Sequence, residues 1–454
     1  MLLPSHLSTL TKKMIDELYM CDIHVHLPGT ISPQTAWQLG IKNNLIQIQK
    51  KGASFIAKTG LQKLHSLSNF KSYLEIFDDT FHFDKEGNVK NIRYKFTEDK
   101  KFRSFDAIMA VVQGHRFPPG GIQNIGDLHV VFDDFLRNCV EQRIHYVELQ
   151  QNIKIAYLLY PDSAKITARQ KLFLLFQTIS NTFSKRGIIL KFLHCFNKTS
   201  ASGEALTTRQ RTIEAAEWLR EAEAMIPGLF VGIESAGHEK DQSGWPTHLK
   251  EGYNMVQKLG MGCEAHGGEG IGVEHMLDVA KTLPITRMAH GFQVIEEQEA
   301  IDYIRTRDLT LVMTPIINLN LGMCVHAKRE SQILVPCSKT NGGIKTSITQ
   351  LHLHPFFELF RKQKLKITLC SDNPNLGGIP LKEVVEALAN LSSEHRLPKD
   401  FLPLAAEELA ILSLNGIKAI FATDETKSLL KEKLIFWVKK YNLNQDYIHN
   451  FYGQ

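Results

Sequence analysis

The chain has 454 residues, with 53 Lys and Arg against 48 Asp and Glu for a formal net charge of +5 at pH 7. Hydrophobic residues make up 43% and charged residues 22%, the profile of a folded chain rather than a disordered one. A charge so mild, with no basic block, excludes a polyanion-binding arm and points away from a nucleic-acid partner.

The N-terminal stretch MLLPSHLSTLTKKMIDELYM is interrupted by Lys12, Lys13, Asp16 and Glu17, so it lacks the apolar core of a signal peptide. The longest apolar runs, such as Ala107 to Val112, fall far short of the roughly 18 residues a membrane helix needs. Cysteines at 21, 139, 195, 263, 324, 337 and 370 are odd in number and form no CxxC pair. That pattern fits reduced thiols and argues against a disulfide scaffold or a zinc ribbon. The expectation is a soluble, cytoplasmic protein with no membrane association.

Eight short apolar, β-branched runs end in polar residues, each followed by a longer helical pattern. In chain order they are 21–27 (CDIHVHL), 145–150 (HYVELQ), 188–197 (IILKFLHCFN), 229–237 (LFVGIESAG), 261–269 (MGCEAHGGE), 286–292 (TRMAHGF), 310–318 (TLVMTPIIN) and 366–374 (KITLCSDNP). Helical periodicity marks 212–225, 249–259 and 297–305 among the intervening stretches. Eight strand-then-helix units predict an α/β protein, a (β/α)8 barrel with extra helices, as one domain over residues 1–454. Polar insertions are expected at about 83–104 and 324–350; they could shape a pocket on the rim or be solvated loops. The apolar pattern 404–421 should complete the helical ring, and the Lys-rich stretch 426–441 reads as a solvated amphipathic helix.

Polar residues gather at the C-terminal ends of these runs, the rim that carries active sites in this architecture. His24 and His26 are two apart in a strand and share a face, so both imidazoles can reach one metal ion. Alone, the pair could equally be two satisfied barrel histidines. His266 is followed across two glycines by Glu269, and glycines let the backbone approach a ligand closely. His290-Gly291 closes the sixth run, and Ser371-Asp372-Asn373-Pro374 closes the eighth. Histidines with one carboxylate form a plausible zinc set, with a further glutamate and histidine for acid–base work.

The order HxH, HGGE, HG and SDNP resembles the adenosine deaminase family of metal-dependent hydrolases, which typically reads HxHLxG, HAGE, HG and DDP. Further matches are 232–239 (GIESAGHE) to a GxDLAGxE pattern, 314–321 (TPIINLNL) to CPxSNxxL, and 415–421 (NGIKAIF) to the closing helix. The resemblance spans about residues 20 to 430. It implies one Zn²⁺ per subunit held by His24, His26, His266 and Asp372. It implies that Glu269 protonates purine N1 as water adds at C6, and that His290 orients and helps deprotonate that water. Gly237 matches the glycine whose amide meets purine N3. The implied activity is zinc-dependent removal of ammonia from a 6-aminopurine base, nucleoside or nucleotide. The partner is then a small purine-type molecule. The PCxxC signature of His/Cys/Cys zinc deaminases is absent.

Several positions depart from the family pattern. Pro28 stands where an acidic residue usually meets the ribose 5′-hydroxyl. Asn373 replaces the second aspartate of DDP, and its amide can donate to purine N7 without an altered pKa. Gln150 and Asn197 stand where arginine is common, and Glu234 replaces an aspartate, a position that bridges two metals in some related barrels. His194 and His326 read as core or surface residues rather than ligands. His115, Arg116 and Lys198 would hold a phosphate only in an AMP-type enzyme. Two other functions compete: hydrolysis of a different amidine, amide or ester by the same activated water, or an adenosine-binding or signalling protein that has lost catalysis.

Overall fold

The computed structural model describes residues 7–43, 122–198, 207–237, 245–269, 272–320, 351–376, 378–393 and 396–452, with residue 239 and the short stretches 47–49, 52–54, 82–83 and 89–90. Eight parallel strands, each paired to the next in chain order, wind into a (β/α)8 barrel. They are β1 (Met20–His26), β2 (Ile144–Gln151), β3 (Ile189–Asn197), β4 (Phe230–Ala236), β5 (Gly262–Gly267), β6 (Arg287–His290), β7 (Thr310–Met313) and β8 (Ile367–Leu369). A parallel bridge between Val25 and Asp372 joins the end of β8 to β1. There the His26 amide donates to the Asp372 carbonyl at 2.8 Å, and the Asp372 amide donates to the His24 carbonyl at 2.9 Å.

The seventh and eighth strands are shorter than the apolar runs suggest. Pro315 fixes φ and opens the helix Pro315–Asn320, so β7 stops at Met313 and 315–318 turn helical. Beyond β8 the chain turns sharply, with Asp372 at φ +62. The helices following β3, β4 and β6 run over Thr208–Met225, Pro246–Lys258 and Gln298–Thr306. Ala406–Ala419 is the apolar closing helix. Asp424–Lys440 is amphipathic and buries Leu430, Leu434, Trp437 and Val438 on one side. The Trp437 indole N–H donates to the Met14 carbonyl at 2.9 Å, which ties that helix to the N-terminal segment.

Burial is built by aromatics where helix Lys165–Ser184 covers the sheet: Phe176 stacks on Phe192 of β3 at 4.3 Å between centroids. Helices Thr208–Met225 and Pro246–Lys258 pack more tightly still, because Gly252 has no side chain. A Cβ there would lie 2.6 Å from the Thr212 carbonyl carbon. Gly252→Ala is therefore expected to cost about 1–3 kcal/mol through overpacking. Chemical denaturation would check this; an unchanged midpoint would show that the helices simply slide apart.

The insertion 324–350 lies outside the described residues. So does 83–104, apart from residues of a short antiparallel pair, His82–Phe83 with Val89–Lys90. His115, Arg116 and His326 lie outside them too. Among the described residues, no helix is long and apolar enough to cross a membrane.

Candidate active site

The C-terminal ends of the strands bring the predicted residues to one place. His24 and His26 leave β1 on the same face, His266 stands on β5 and His290 ends β6. Ring centroids are 5.1 Å apart for His24–His26, 5.0 Å for His24–His266 and 4.8 Å for His266–His290. Asp372 reaches in from beyond β8, with its Oδ1 3.5 Å from His26 Nε2 and 3.9 Å from His24 Nε2. Ligand-capable atoms of His24, His26 and His266 lie within 4.8 Å of one another, and so do those of His24, His290 and Asp372. All of these side chains are buried.

Their second nitrogens decide which atoms are free. A carboxylate can only accept, so His24 Nδ1, 2.5 Å from Glu264 Oε1, carries its proton there. In the neutral ring Nε2 then carries the lone pair, and that atom is buried without a partner. His266 Nδ1 likewise donates to Glu234, which leaves Nε2 open. His290 differs: its Nδ1 meets the Thr314 hydroxyl at 3.0 Å and the Asn318 amide at 3.1 Å, while Nε2 faces Glu269 Oε1 at 3.4 Å. Converging imidazole lone pairs beside a carboxylate fit a borderline-soft cation such as zinc.

Charge agrees with geometry. Burial by itself would lower His24, but Glu264, Asp372 and Glu234 outweigh it and raise it to about 9, so without a cation a proton takes the Nε2 position that a metal ion would occupy. Burial raises Asp372 to about 7 and carries Glu269 well above the carboxylate range, helped by Asp372 and Glu239. Burial keeps His26, His266 and His290 neutral, well below the ordinary histidine value. The pocket is thus rich in carboxylates that favour one added positive charge.

Backbone conformation sharpens the turns at the rim. His290 (φ +62) and Asp372 (φ +62) occupy the left-handed region, which is costly without glycine and clusters at functional sites. Gly237 follows β4 with φ +107, a conformation open to glycine alone at little cost. Pro28 opens the short helix Leu27–Thr30. The next residue, Gly29, packs directly on Asn373, whose amide donates to Asp372 Oδ1 at 2.6 Å.

The remaining candidates divide. Gln150 lies beside His24, with its amide group 2.6 Å from Nδ1; with the Nδ1 proton directed at Glu264, that amide must turn its oxygen toward the ring. Lys198 pairs with Glu239 at 3.8 Å, both buried. His194 is a core residue: its Nδ1 accepts from the Ile153 amide at 3.2 Å, and its ring lies against Trp218. Two residues escaped the sequence reading, Glu264 and Arg287. The signal was available, since Glu264 and His266 are two apart in a strand and share a face, and Arg287 interrupts an apolar run on the adjacent strand.

A family model described as adenosine deaminase matches residues 121–333. An adenosine deaminase of Clostridium acetobutylicum is 23% identical over 93% of this chain and 99% of its own length. Among solved structures, an adenine deaminase from Arthrobacter aurescens superposes with a TM-score of 0.61 at 16% identity, covering 93% of this chain and 99% of that one. The N6-methyl-AMP deaminase from Arabidopsis thaliana gives 0.58 at 14% identity, covering 95% of this chain and 100% of that one. With its motifs converging on the rim of a (β/α)8 barrel, the chain is similar to the adenosine deaminase family of hydrolases, whose model it matches over residues 121–333.

Proposed function

We propose that the protein is a zinc-dependent aminohydrolase that removes the 6-amino group of a purine base, nucleoside or nucleotide as ammonia. The observation that carries this reading is the buried Glu269 carboxyl facing His290 at 3.4 Å beside the cluster of His24, His26, His266 and Asp372, where burial and neighbouring carboxylates raise it well above the usual carboxylate range. Those four would hold one Zn²⁺, which when bound supplies the Lewis acidity that lets a water lose a proton near neutral pH.

His290 takes a proton from the attacking water through Nε2. For this, Nδ1–H must be the donor at the other end of the ring. Thr314 Oγ1 can accept it, and so can the Asn318 amide, turned so that its oxygen faces the ring. As the water oxygen bonds to C6, Glu269 gives its proton to ring nitrogen N1. His290 then passes its proton to the amino nitrogen, the C6–N bond breaks, and ammonia leaves. The remaining hydroxyl proton restores Glu269. The Asn373 amide has two N–H donors, one on Asp372 and the other free for purine N7; the Gly237 amide would meet N3.

The test is ammonia release by Zn²⁺-loaded protein from adenosine, deoxyadenosine, adenine, AMP and N6-methyl-AMP. Turnover of one member is expected. Silence on all of them, with the metal retained, would exclude the 6-aminopurine reading.

A further inference from the structure

Behind the histidines lies a buried charge network that the chemistry above does not use. Arg287 on β6 directly opposes Glu264 on β5, and its Nε donates to Glu264 Oε2 at 2.7 Å. The other oxygen of that carboxylate accepts from His24 Nδ1 at 2.5 Å. Arg287 also pairs with Glu148 of β2 and donates to the Ile23 carbonyl at 3.2 Å, one residue before His24. It donates as well to the Ala419 carbonyl at 3.0 Å, and the Phe421 ring covers the guanidinium at 3.8 Å. The Phe421 amide donates to Glu148 at 2.6 Å. Arg287, Glu264 and Glu148 have no measurable exposure.

We infer that Arg287 and Glu264 are positioning residues that fix the tautomer and aim of the His24 imidazole, and that the segment 419–421 at the end of the closing helix locks them in place. This rests on the reading of His24 as a metal ligand. The fork of the guanidinium holds the Glu264 carboxylate in one plane, so only one oxygen remains to face His24. That oxygen keeps the imidazole proton on Nδ1 and directs the Nε2 lone pair into the cluster. Carboxylate partners of ligating histidines raise ligand basicity and set ring orientation. The lock is unusual in its origin. Retention of a metal ion at the barrel mouth depends on residues 419–421, none of which lies near the ligands in sequence.

Glu264→Gln is the decisive substitution. Both neighbours of Glu264 are donors, and an amide offers a single acceptor, so the isosteric variant can satisfy His24 or Arg287 but not both. Arg287 keeps Glu148 as its counter-ion, so no charge is left unpaired. Chelator competition is expected to show Zn²⁺ and Co²⁺ affinity lowered by about 10- to 100-fold. The visible absorption of the Co²⁺ form should shift as the His24 ring reorients. Phe421→Leu should show the same changes in weaker form.

Affinity and Co²⁺ spectrum unchanged in Glu264→Gln would overturn the proposal. Should that variant not fold, nitrogen-15 histidine spectra of the wild-type metal form decide instead. An exchange-protected proton on His24 Nδ1 supports the assignment, and its absence overturns it. Wild-type protein that retains neither ion overturns the metal reading and this inference together. Retention by wild type and variant alike overturns only the inference.

Discussion

Replacing Glu269 by Gln lowers kcat at least 100-fold on whichever 6-aminopurine the enzyme turns over, about the least that removal of a positioned general acid costs. The amide keeps the size of the side chain but has no acidic proton for N1. Glu269 is not among the four proposed ligands, so metal content should stay at the wild-type level, and metal analysis alongside steady-state kinetics separates the two effects. Burial and the neighbouring carboxylates hold the Glu269 proton in place at neutral pH. On the alkaline side, wild-type turnover should therefore fall as pH rises through that raised value, where the acid is lost. A variant with wild-type kcat would remove Glu269 from the mechanism.

Gly29→Ala is expected to damage the site from outside it. A Cβ at position 29 would lie inside the Asn373 side chain, 2.6 Å from the Cβ of Asn373 and against its backbone. That backbone is no flexible tip that can move aside. The Asn373 carbonyl accepts from the amides of Leu376 and Gly378 at 3.0 Å each, and the Asn375 amide donates to the Gly29 carbonyl at 2.8 Å. Relief must push the Asp372–Asn373 turn away from β1, and Asp372 is hydrogen-bonded to the backbone of both His24 and His26. The stability cost is about 1–3 kcal/mol, the usual range for an overpacked core. The functional cost should be larger, because catalytic geometry tolerates displacements well below 1 Å. Thermal denaturation and chelator competition would show a modest fall in the melting temperature with a sharp loss of metal retention. Normal retention would mean that the turn yields without moving Asp372.

How much of this was legible in the sequence follows from what a strand or motif can encode. His24 and His26 were readable because alternation forces two residues onto one face. His266 and Glu269 were readable because two glycines between polar residues seldom serve packing alone. The eight strands emerge from short β-branched runs, yet the run 310–318 predicts a strand through 318, where Pro315 turns the chain into a helix. An apolar run has no period that separates a buried strand from a buried helix. Glu264 and Arg287 escaped for a different reason. Each looks like an isolated charge in its own strand, and only pairing of β5 with β6 makes them partners. Glu234 has two possible uses, a bridge between metals or a partner for a histidine, and the structure shows one of its oxygens accepting from His266 Nδ1. That choice depends on a side-chain distance that spacing cannot supply.

The seam between β1 and β8 has a consequence for how the protein matures. His24 and His26 lie on one side of it and Asp372 on the other, joined by two backbone hydrogen bonds between residues far apart in the chain. Bringing such distant segments together is the entropically slow part of building the barrel, since every intervening strand must be in place before the ends can meet. A nascent chain that has not yet completed its eighth strand therefore lacks the full ligand set, whatever metal surrounds it. If these residues hold a cation as proposed, its full coordination waits on completion of the barrel.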